Sequence, residues 1–474
     1  MPSRTTDSGR LVALAPADRA RLLVAAEQAV RRARARGEAL AAVALALPFD
    51  VDPASVAVAS GRPGEPWFCF EQPDRGGAAL AALGCVKALE GRGAGRFGEV
   101  ADAWRALAAD ASGDAGEHLV AVGGFAFAAG GGEAPGWAGF PPASLHVPEV
   151  ALLRRGGHVT VTLAALATAD DTPDDLVARV ERRAASLVQA PLPLLDPDPI
   201  GQTRVVSTMP PEHYEAAVAA AVERIRAGEL AKVVLAREVE VHAPAPHDAA
   251  AVFSVLREAF PACFVFCAGR GDAAFVAASP ELLVRREGLR ASSLALAGST
   301  RRSADPAVDD HLGEQLMQSS KDRSEQRIVS ERILRTLEPH AVWTTAAPEP
   351  VLVKVANIQH LGTPIRAQLA SPVPAVELAG FLHPTPAVGG EPFAVAAPLI
   401  PALEGVDRGW YAGPVGWTDA NEDGEFCVAL RCALLRGRVA RCYAGVGVVA
   451  DSDPAAELAE TEIKLAALLP VLAG

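Results

Sequence analysis

Residues 230–237 read Leu-Ala-Lys-Val-Val-Leu-Ala-Arg, and the aliphatic run resumes at Val239 and Val241. Such a run forms a strand, and the two-residue alternation of strand side chains sets Lys232 on one face with Val234 and Ala236. A lysine is thereby aimed where apolar groups point. Burial disfavours an ammonium ion, so a lysine held among aliphatic neighbours is suited to act as a base near neutral pH. The alternative is a strand-end lysine whose stem lies on apolar surface while its amine reaches water.

Around this strand the pattern alternates between helix and strand. Pro210-Pro211 opens a helix with Tyr214, Ala217, Val218, Ala221, Val222 and Ile225 at spacings of three and four, and Gly228 closes it. A helix over 249–260 precedes strands at 263–267 and 273–278, then Ser279-Pro280-Glu281, then strands at 282–286 and 289–296. Strands in meander order with helices between some of them predict an α+β fold built on antiparallel sheets.

Length and composition bound the function. The 474 residues are 50% hydrophobic but only 5% aromatic, so Ala, Val and Leu must fill a large core. A net charge of -13 argues against nucleic acid or an anionic membrane as partner, because both require clustered Lys and Arg. The seven cysteines, Cys69, Cys85, Cys263, Cys267, Cys427, Cys432 and Cys442, contain no C-x-x-C pair and read as reduced core thiols. Residues 1–10 lack the apolar core of a signal peptide, and no long uncharged apolar run occurs elsewhere; the expected location is the cytoplasm.

Several charged residues fall on apolar faces. Glu281 follows Pro280 at the mouth of a strand, where partial burial suits a general acid. Asp305-Pro306 caps a helix expected to reach Leu337, and Glu325 precedes Ile328 and Val329 by three and four residues, placing it on the apolar stripe. Asp453-Pro454 caps a helix through Leu469 that sets Glu457, Thr461, Lys464 and Leu468 on one face. Inward carboxylates on two helices make either internal salt bridges or a magnesium site, since Mg²⁺ takes one or two carboxylates and keeps waters. A strand over 426–435 carries Arg431 on a sheet face, suited to a bidentate grip on a carboxylate. The glycine-containing strand 444–450 lets backbone approach a ligand, and the rigid loop of His383 holds an imidazole that is either structural, as a lone histidine more often is, or within reach of a substrate hydroxyl.

In the first part of the chain the expected elements are a helix over 11–47, short strands at 55–59 and 67–70, helices at 78–89 and 97–109, and a buried strand at 119–127. A strand pair at 144–153 and 158–163 turns through 154–157, and a helix over 172–188 leads into the proline-rich linker 191–199. Gly93-Ala-Gly95-Arg-Phe-Gly98 matches G-x-G-x-x-G, but with a helix expected before it the context of a dinucleotide site is missing. The linker suggests an N-terminal part, residues 1–200, and a catalytic core, residues 205–474.

Eight motifs, in order, carry a family resemblance: Lys-Val-Val-Leu-Ala-Arg, Ala-Ser-Pro-Glu-Leu-Leu, Leu-Ala-Gly-Ser-Thr-Arg-Arg, Ser-Lys-Asp-Arg-Ser-Glu, Leu-His-Pro-Thr-Pro-Ala-Val-Gly-Gly, Gly-Pro-Val-Gly-Trp, Ala-Leu-Arg-Cys-Ala and Glu-Leu-Ala-Glu-Thr-Glu-Ile-Lys. This series resembles the chorismate-utilising enzymes over about residues 205–470, and the N-terminal part resembles them more loosely. The resemblance implies two large packed antiparallel sheets with helices outside, in one continuous unit. It also implies Lys232 as general base, Glu281 as general acid, and Glu325 and Glu457 as Mg²⁺ ligands. Ala297, Gly298, Ser299, His383, Arg431, Gly445 and Lys464 match positions that line the chorismate pocket, with Arg431 and Lys464 on substrate carboxylate.

Within that family the chain is most similar to isochorismate synthases. Amine-transferring members have glutamine where Lys232 stands, and the aminodeoxychorismate type has a lysine where this chain has Ala297. Salicylate synthases share the base and acid but depart from the His383 loop; a salicylate synthase is therefore the nearest alternative. A non-catalytic chorismate-binding or amidotransferase-partner subunit is a second, which the intact set of Lys232, Glu281, Glu325 and Glu457 opposes. A monomer without an obligatory amidotransferase subunit is expected. Many members have histidine where this chain has Gln326, which alters the surroundings of Glu325.

Overall fold

Alternating strand side chains face two different apolar surroundings. On Glu38–Ala46, Leu40 and Ala42 enter one hydrophobic core while Ala39, Ala41 and Val43 enter another, and Phe68 and Phe70 against Cys69 repeat this on Trp67–Gln72. A sheet apolar on both faces must be covered on both. One face lies against a second sheet; the other is covered by helices that include Pro16–Arg36, Pro53–Ser60, Pro173–Ala185 and Ala249–Ala259. The computed structural model describes residues 11–196 and 200–474, so residues 1–10 and the linker positions 197–199 lie outside the described residues.

Among the described residues the larger sheet has 13 strands and the smaller 10. Among the described residues every pairing is antiparallel except that of Glu38–Ala46 with Ser112–Gly113. The larger sheet runs from Arg204–Ser207 through Lys232–His242, Val439–Val448, Cys432–Arg436, Ala273–Ser279 and Phe264–Arg270, then continues through Trp67–Gln72 into strands from the first part of the chain. The smaller sheet likewise joins Pro414–Asp419 to Val120–Phe125. Residues on both sides of the proline-rich linker therefore share both sheets. The fold is α+β, as the strand pattern implies.

At two adjacent places the chain crosses from one sheet to the other. Ala273–Ser279 belongs to the larger sheet and Leu282–Glu287 to the smaller, with Pro280-Glu281 between them. Gly424–Val428 and Cys432–Arg436 cross in the opposite sense, with Arg431 between them at φ +49°. The crossings are tied together: Val428 N donates to Glu281 O at 3.0 Å, Ala278 N to Arg431 O at 3.1 Å, and the Ser279 hydroxyl to Val428 O at 2.5 Å. Arg431 thus stands at a joint, not on the face of one strand over 426–435 as expected. Apolar residues on both sides of it conceal the change of sheet.

Other expectations also change. The helix over 11–47 is a helix, Pro16–Arg36, closed by Gly37 at φ +97°, followed by the strand Glu38–Ala46; alanine-rich sequence hid the switch. Residues 55–59 lie in the helix Pro53–Ser60, capped by the Asp52 side chain, and residues 78–89 form parts of two strands, Ala78–Leu83 and Lys87–Gly91. A strand therefore does precede the Gly93 loop, although it pairs antiparallel with Ala143–Val147 and forms no parallel βαβ unit. Residues 144–153 divide between Ala143–Val147 and Val150–Arg155, which belong to different sheets. The helix expected from 305 to 337 breaks at Ser319, whose hydroxyl accepts from Asp322 N and caps a second helix, Ser320–Leu337. The last helix divides into Pro454–Leu465 and Leu469–Ala473. Six cysteines are buried free thiols, and Cys85 is exposed.

The strand of Lys232 has an incomplete outer edge. Gly390–Glu391 pairs with Lys232 and Val233, and Arg204–Ser207 pairs from Val239 onward. Between them a buried ion pair substitutes for a strand. Glu404 accepts from Ala236 N at 2.7 Å, while Arg408 donates to Val234 O at 2.9 Å and to Val388 O at 2.8 Å. The two side chains meet at 2.5 Å with almost no exposed surface. Removing one member strands a buried charge, so Arg408→Met should lower unfolding free energy by about 3–5 kcal/mol. Urea denaturation of Arg408→Met should show that loss, and adding Glu404→Leu should restore part of it.

Candidate active site

Lys232 is the first residue of its strand and has no exposed surface, which excludes the water-reaching alternative. Its amine lies 2.7 Å from Glu325 Oε1, an ion pair rather than a well-aligned hydrogen bond. The pair lies over Gly447, which faces Val234 across the ladder. A methyl group at Gly447 would collide with Glu325 Oε1 and stand 2.7 Å from Lys232 Cε, so the glycine makes room for the pair.

Glu325 lines a cavity closed by both sheets and two helices. Glu281, Ala297, Gly298, Ser299, Arg431, Gly445, Glu457 and Lys464 line it too. Gly298 forms a bulge where the register slips between Ala297 and Ser299, at φ +71°, a backbone position suited to glycine. His383 is elsewhere: its Nε2–H donates to Phe127 O at 2.9 Å, and it faces a separate groove. The cis-linked proline that follows it continues the rigid loop, and from that loop Ala387 and Val388 reach the cavity.

The charges in the cavity are individually fixed. Burial raises the Glu281 carboxyl pKa to about 8, although Lys232 and Arg431 both pull it down. Arg431 is buried, and its Nη2 lies 3.0 Å from His360 Nε2. His360 Nδ1 lies 3.1 Å from Gly298 O, so Nδ1 carries the proton and the bare Nε2 accepts from Arg431. Burial, then Arg431 and Lys464, push His360 down to about 3 and keep it neutral. Lys464 donates to Gly445 O at 2.9 Å and pairs with Glu460 at 2.8 Å. Glu460 also accepts from the Ser299 hydroxyl at 2.8 Å; burial raises its pKa, but Lys464, Ser299 and Lys321 together bring it to about 2.

His360, Glu460, Lys321 and Tyr411 also line this cavity, and the sequence reading passed over them. Glu460 was open to discovery, because Glu457, Glu460 and Lys464 share a helix face at spacings of three and four. His360 had no such sign: it lies on a strand of mixed polarity, Ile358–Leu369, where a histidine is not out of place, and only the pairing with Arg290–Arg301 brings it to Gly298.

Glu325 and Glu457 present carboxylate oxygens to the same cavity from Ser320–Leu337 and Pro454–Leu465. Lys321 meets Glu457 at 2.9 Å as Lys232 meets Glu325. Among the described residues no group of three or more His, Cys, Asp or Glu side chains can enclose a metal ion by itself. The two glutamates fit Mg²⁺ as a partial set of hard oxygen donors, with the other positions left to water and substrate. Behind them Gln326 Nε2 donates to Ala295 O at 2.9 Å and Thr363 Oγ1 at 3.0 Å, pinning the Glu325 helix to two strands.

A family model for chorismate binding enzymes matches residues 25–473, and the chain belongs to that family. Among its relatives is a salicylate biosynthesis isochorismate synthase of Pseudomonas aeruginosa, 37% identical over 451 residues and covering 93% of each chain. The isochorismate synthase EntC of Escherichia coli is 36% identical over 54% of this chain and 66% of its own. The menaquinone-specific isochorismate synthase MenF of Escherichia coli superposes with a TM-score of 0.78 at 28% identity, covering 95% of this chain and 100% of that one.

A carboxyl that stays protonated near neutrality has a direct signature. Carbon-detected NMR of glutamate-labelled protein should show one side-chain carboxyl titrating near pH 8, lost in Glu281→Gln. The folded state holds this proton more tightly than the unfolded chain does. Glu281 therefore costs the native state increasing stability as pH rises from 4.5 toward about 8, a slope that Glu281→Gln should remove in urea titrations.

Proposed function

We propose that this protein is an isochorismate synthase, converting chorismate to isochorismate with Mg²⁺. The observation that carries the reading is a fully buried lysine paired with Glu325 at the wall of a cavity, where a second lining carboxyl, Glu281, feels the lysine's charge and is held protonated near neutrality. The relatives named as isochorismate synthases, one of them matched along nearly the whole of both chains, support it.

The reaction adds water at ring C2 while the C4 hydroxyl departs. Lys232, working as the neutral amine, takes a proton from the attacking water and Glu281 gives one to the leaving oxygen, so a water enters, a water leaves and the net change is an isomerisation. Arg431, oriented by His360, and Lys464, held by Gly445 O, grip substrate carboxylate. Burial of Lys232 and Glu281 limits the bulk water that could compete with the positioned one. Glu325 and Glu457 would hold the magnesium ion, which when bound would supply positive charge to a substrate carboxylate. Water as nucleophile requires no amidotransferase subunit, and the protein works as a cytoplasmic monomer on a small-molecule substrate.

Four measurements test the reading. Chromatography of chorismate incubated with protein and Mg²⁺ should show isochorismate accumulating without ammonia; stoichiometric salicylate and pyruvate from the outset would assign a salicylate synthase instead. Chelation should abolish turnover and magnesium restore it. Lys232→Gln should lower kcat by roughly two or more orders of magnitude while the protein stays folded. Because Glu281 works protonated, kcat should fall as pH rises through about 8. Near-normal turnover in folded, metal-loaded Lys232→Gln would overturn the mechanism.

A further inference from the structure

The Gly93 loop opens the helix Arg96–Ala109, and its first residue is an arginine that the proposed chemistry does not use. Arg96 is 5% exposed. Nη1 donates to Gly93 O at 3.3 Å and Nη2 to Ala126 O at 3.0 Å, Nε–H has no partner, and among the described residues no carboxylate pairs with it. Burial alone lowers its pKa to about 10, with no opposing acid. A buried guanidinium without a counter-ion is costly unless something brings it one.

Arg96 lines a groove of about 1000 Å³ beside the catalytic cavity. Phe97, Phe127 and Phe393 form apolar walls, with Phe127 edge-on to Phe393 at 6.3 Å between ring centres. The acids there are already engaged or solvated. Glu404 is paired with Arg408, Asp407 accepts from Gly132 N, Ala134 N and Gly409 N, and Glu133 is exposed at the rim. The positive end of the Arg96–Ala109 helix adds to the field of Arg96.

We propose that this groove is a second ligand site, separate from the catalytic cavity, for a small aryl carboxylate, with the carboxylate on Arg96 and the ring among Phe97, Phe127 and Phe393. The anion supplies the counter-charge that Arg96 lacks, through the Nη hydrogens not donated to Gly93 O and Ala126 O, while Nε–H stays sealed from the groove and the guanidinium lies over the Phe97 ring at 4.7 Å. The phenylalanines favour a flat ring packed edge to face. The site adjoins the support of the catalytic strand. Arg408 stacks over Phe127 at 4.2 Å and holds Val234 O and Val388 O, residues of the cavity wall.

The test uses 2-naphthoate and its neutral isostere 2-naphthamide in equilibrium dialysis against the full chain. Wild-type protein should bind the acid saturably and the amide roughly tenfold or more weakly, as expected when a charge-assisted hydrogen bond is lost. Arg96→Gln should weaken acid binding by a similar factor, whereas Arg431→Gln, which alters the catalytic cavity, should leave it unchanged. Equal binding of acid and amide would overturn the proposal. So would loss of acid binding in Arg431→Gln, unchanged binding in folded Arg96→Gln, or no saturable binding at millimolar acid. The acid and amide comparison needs only wild-type protein, so the proposal is testable even where Arg96→Gln does not fold.

Discussion

A lysine with no exposed surface must be matched by a negative neighbour, and much of the site follows from how Lys232 is matched by Glu325. The carboxylate arrives on a helix, so Ser320–Leu337 must lie at one height over the strand ladder. Gln326 fixes that height by binding strands of the smaller sheet, and Gly447 clears the ground beneath the pair. The strand itself is held by Glu404 and Arg408 where neighbouring strands fall short. One buried ion pair thus constrains a helix and a glycine, on a strand that a second buried ion pair secures.

The remaining charges of the cavity are arranged by the same rule, with one exception. Lys321 meets Glu457, and Lys464 meets Glu460. Arg431 is held by a histidine kept neutral, and no carboxylate among the described residues forms an ion pair with it. A guanidinium oriented but not neutralised is ready for an anion, whereas a carboxylate in place of His360 would have cancelled it. Glu281 completes the contrast, because burial keeps it neutral beside cations that would otherwise ionise it.

The Lys232 strand, the helix before it and the inward glutamates were legible because each is a local pattern: a period of two, a period of three to four, and a charge out of place. The switches were not. Residues 11–47 and 78–89 are so rich in alanine and leucine that helix and strand patterns overlap, and tertiary pairing decided between them. Arg431 was identified as a charge among apolar residues but placed on a strand, since nothing in 426–435 marks the left-handed residue at which the chain changes sheets. His383 failed differently: the rigid loop was seen, but loop rigidity does not tell which side chain faces the cavity. The family resemblance supplied roles for residues whose local patterns left salt bridge and metal site equally open.

The ladder in which Val233 faces Val448 and His242 faces Val439 has a consequence for synthesis. As the chain leaves the ribosome, the Lys232 strand emerges long before its long-standing neighbour exists. It waits as an aliphatic edge carrying an unmatched amine while the smaller sheet's outer strands are still being made. Closure of the larger sheet is therefore a late, nearly full-length event, governed by contacts distant in sequence. Until then the exposed edge is a template for pairing with another nascent chain, so production of this protein is most vulnerable to aggregation when translation of its last strand is delayed.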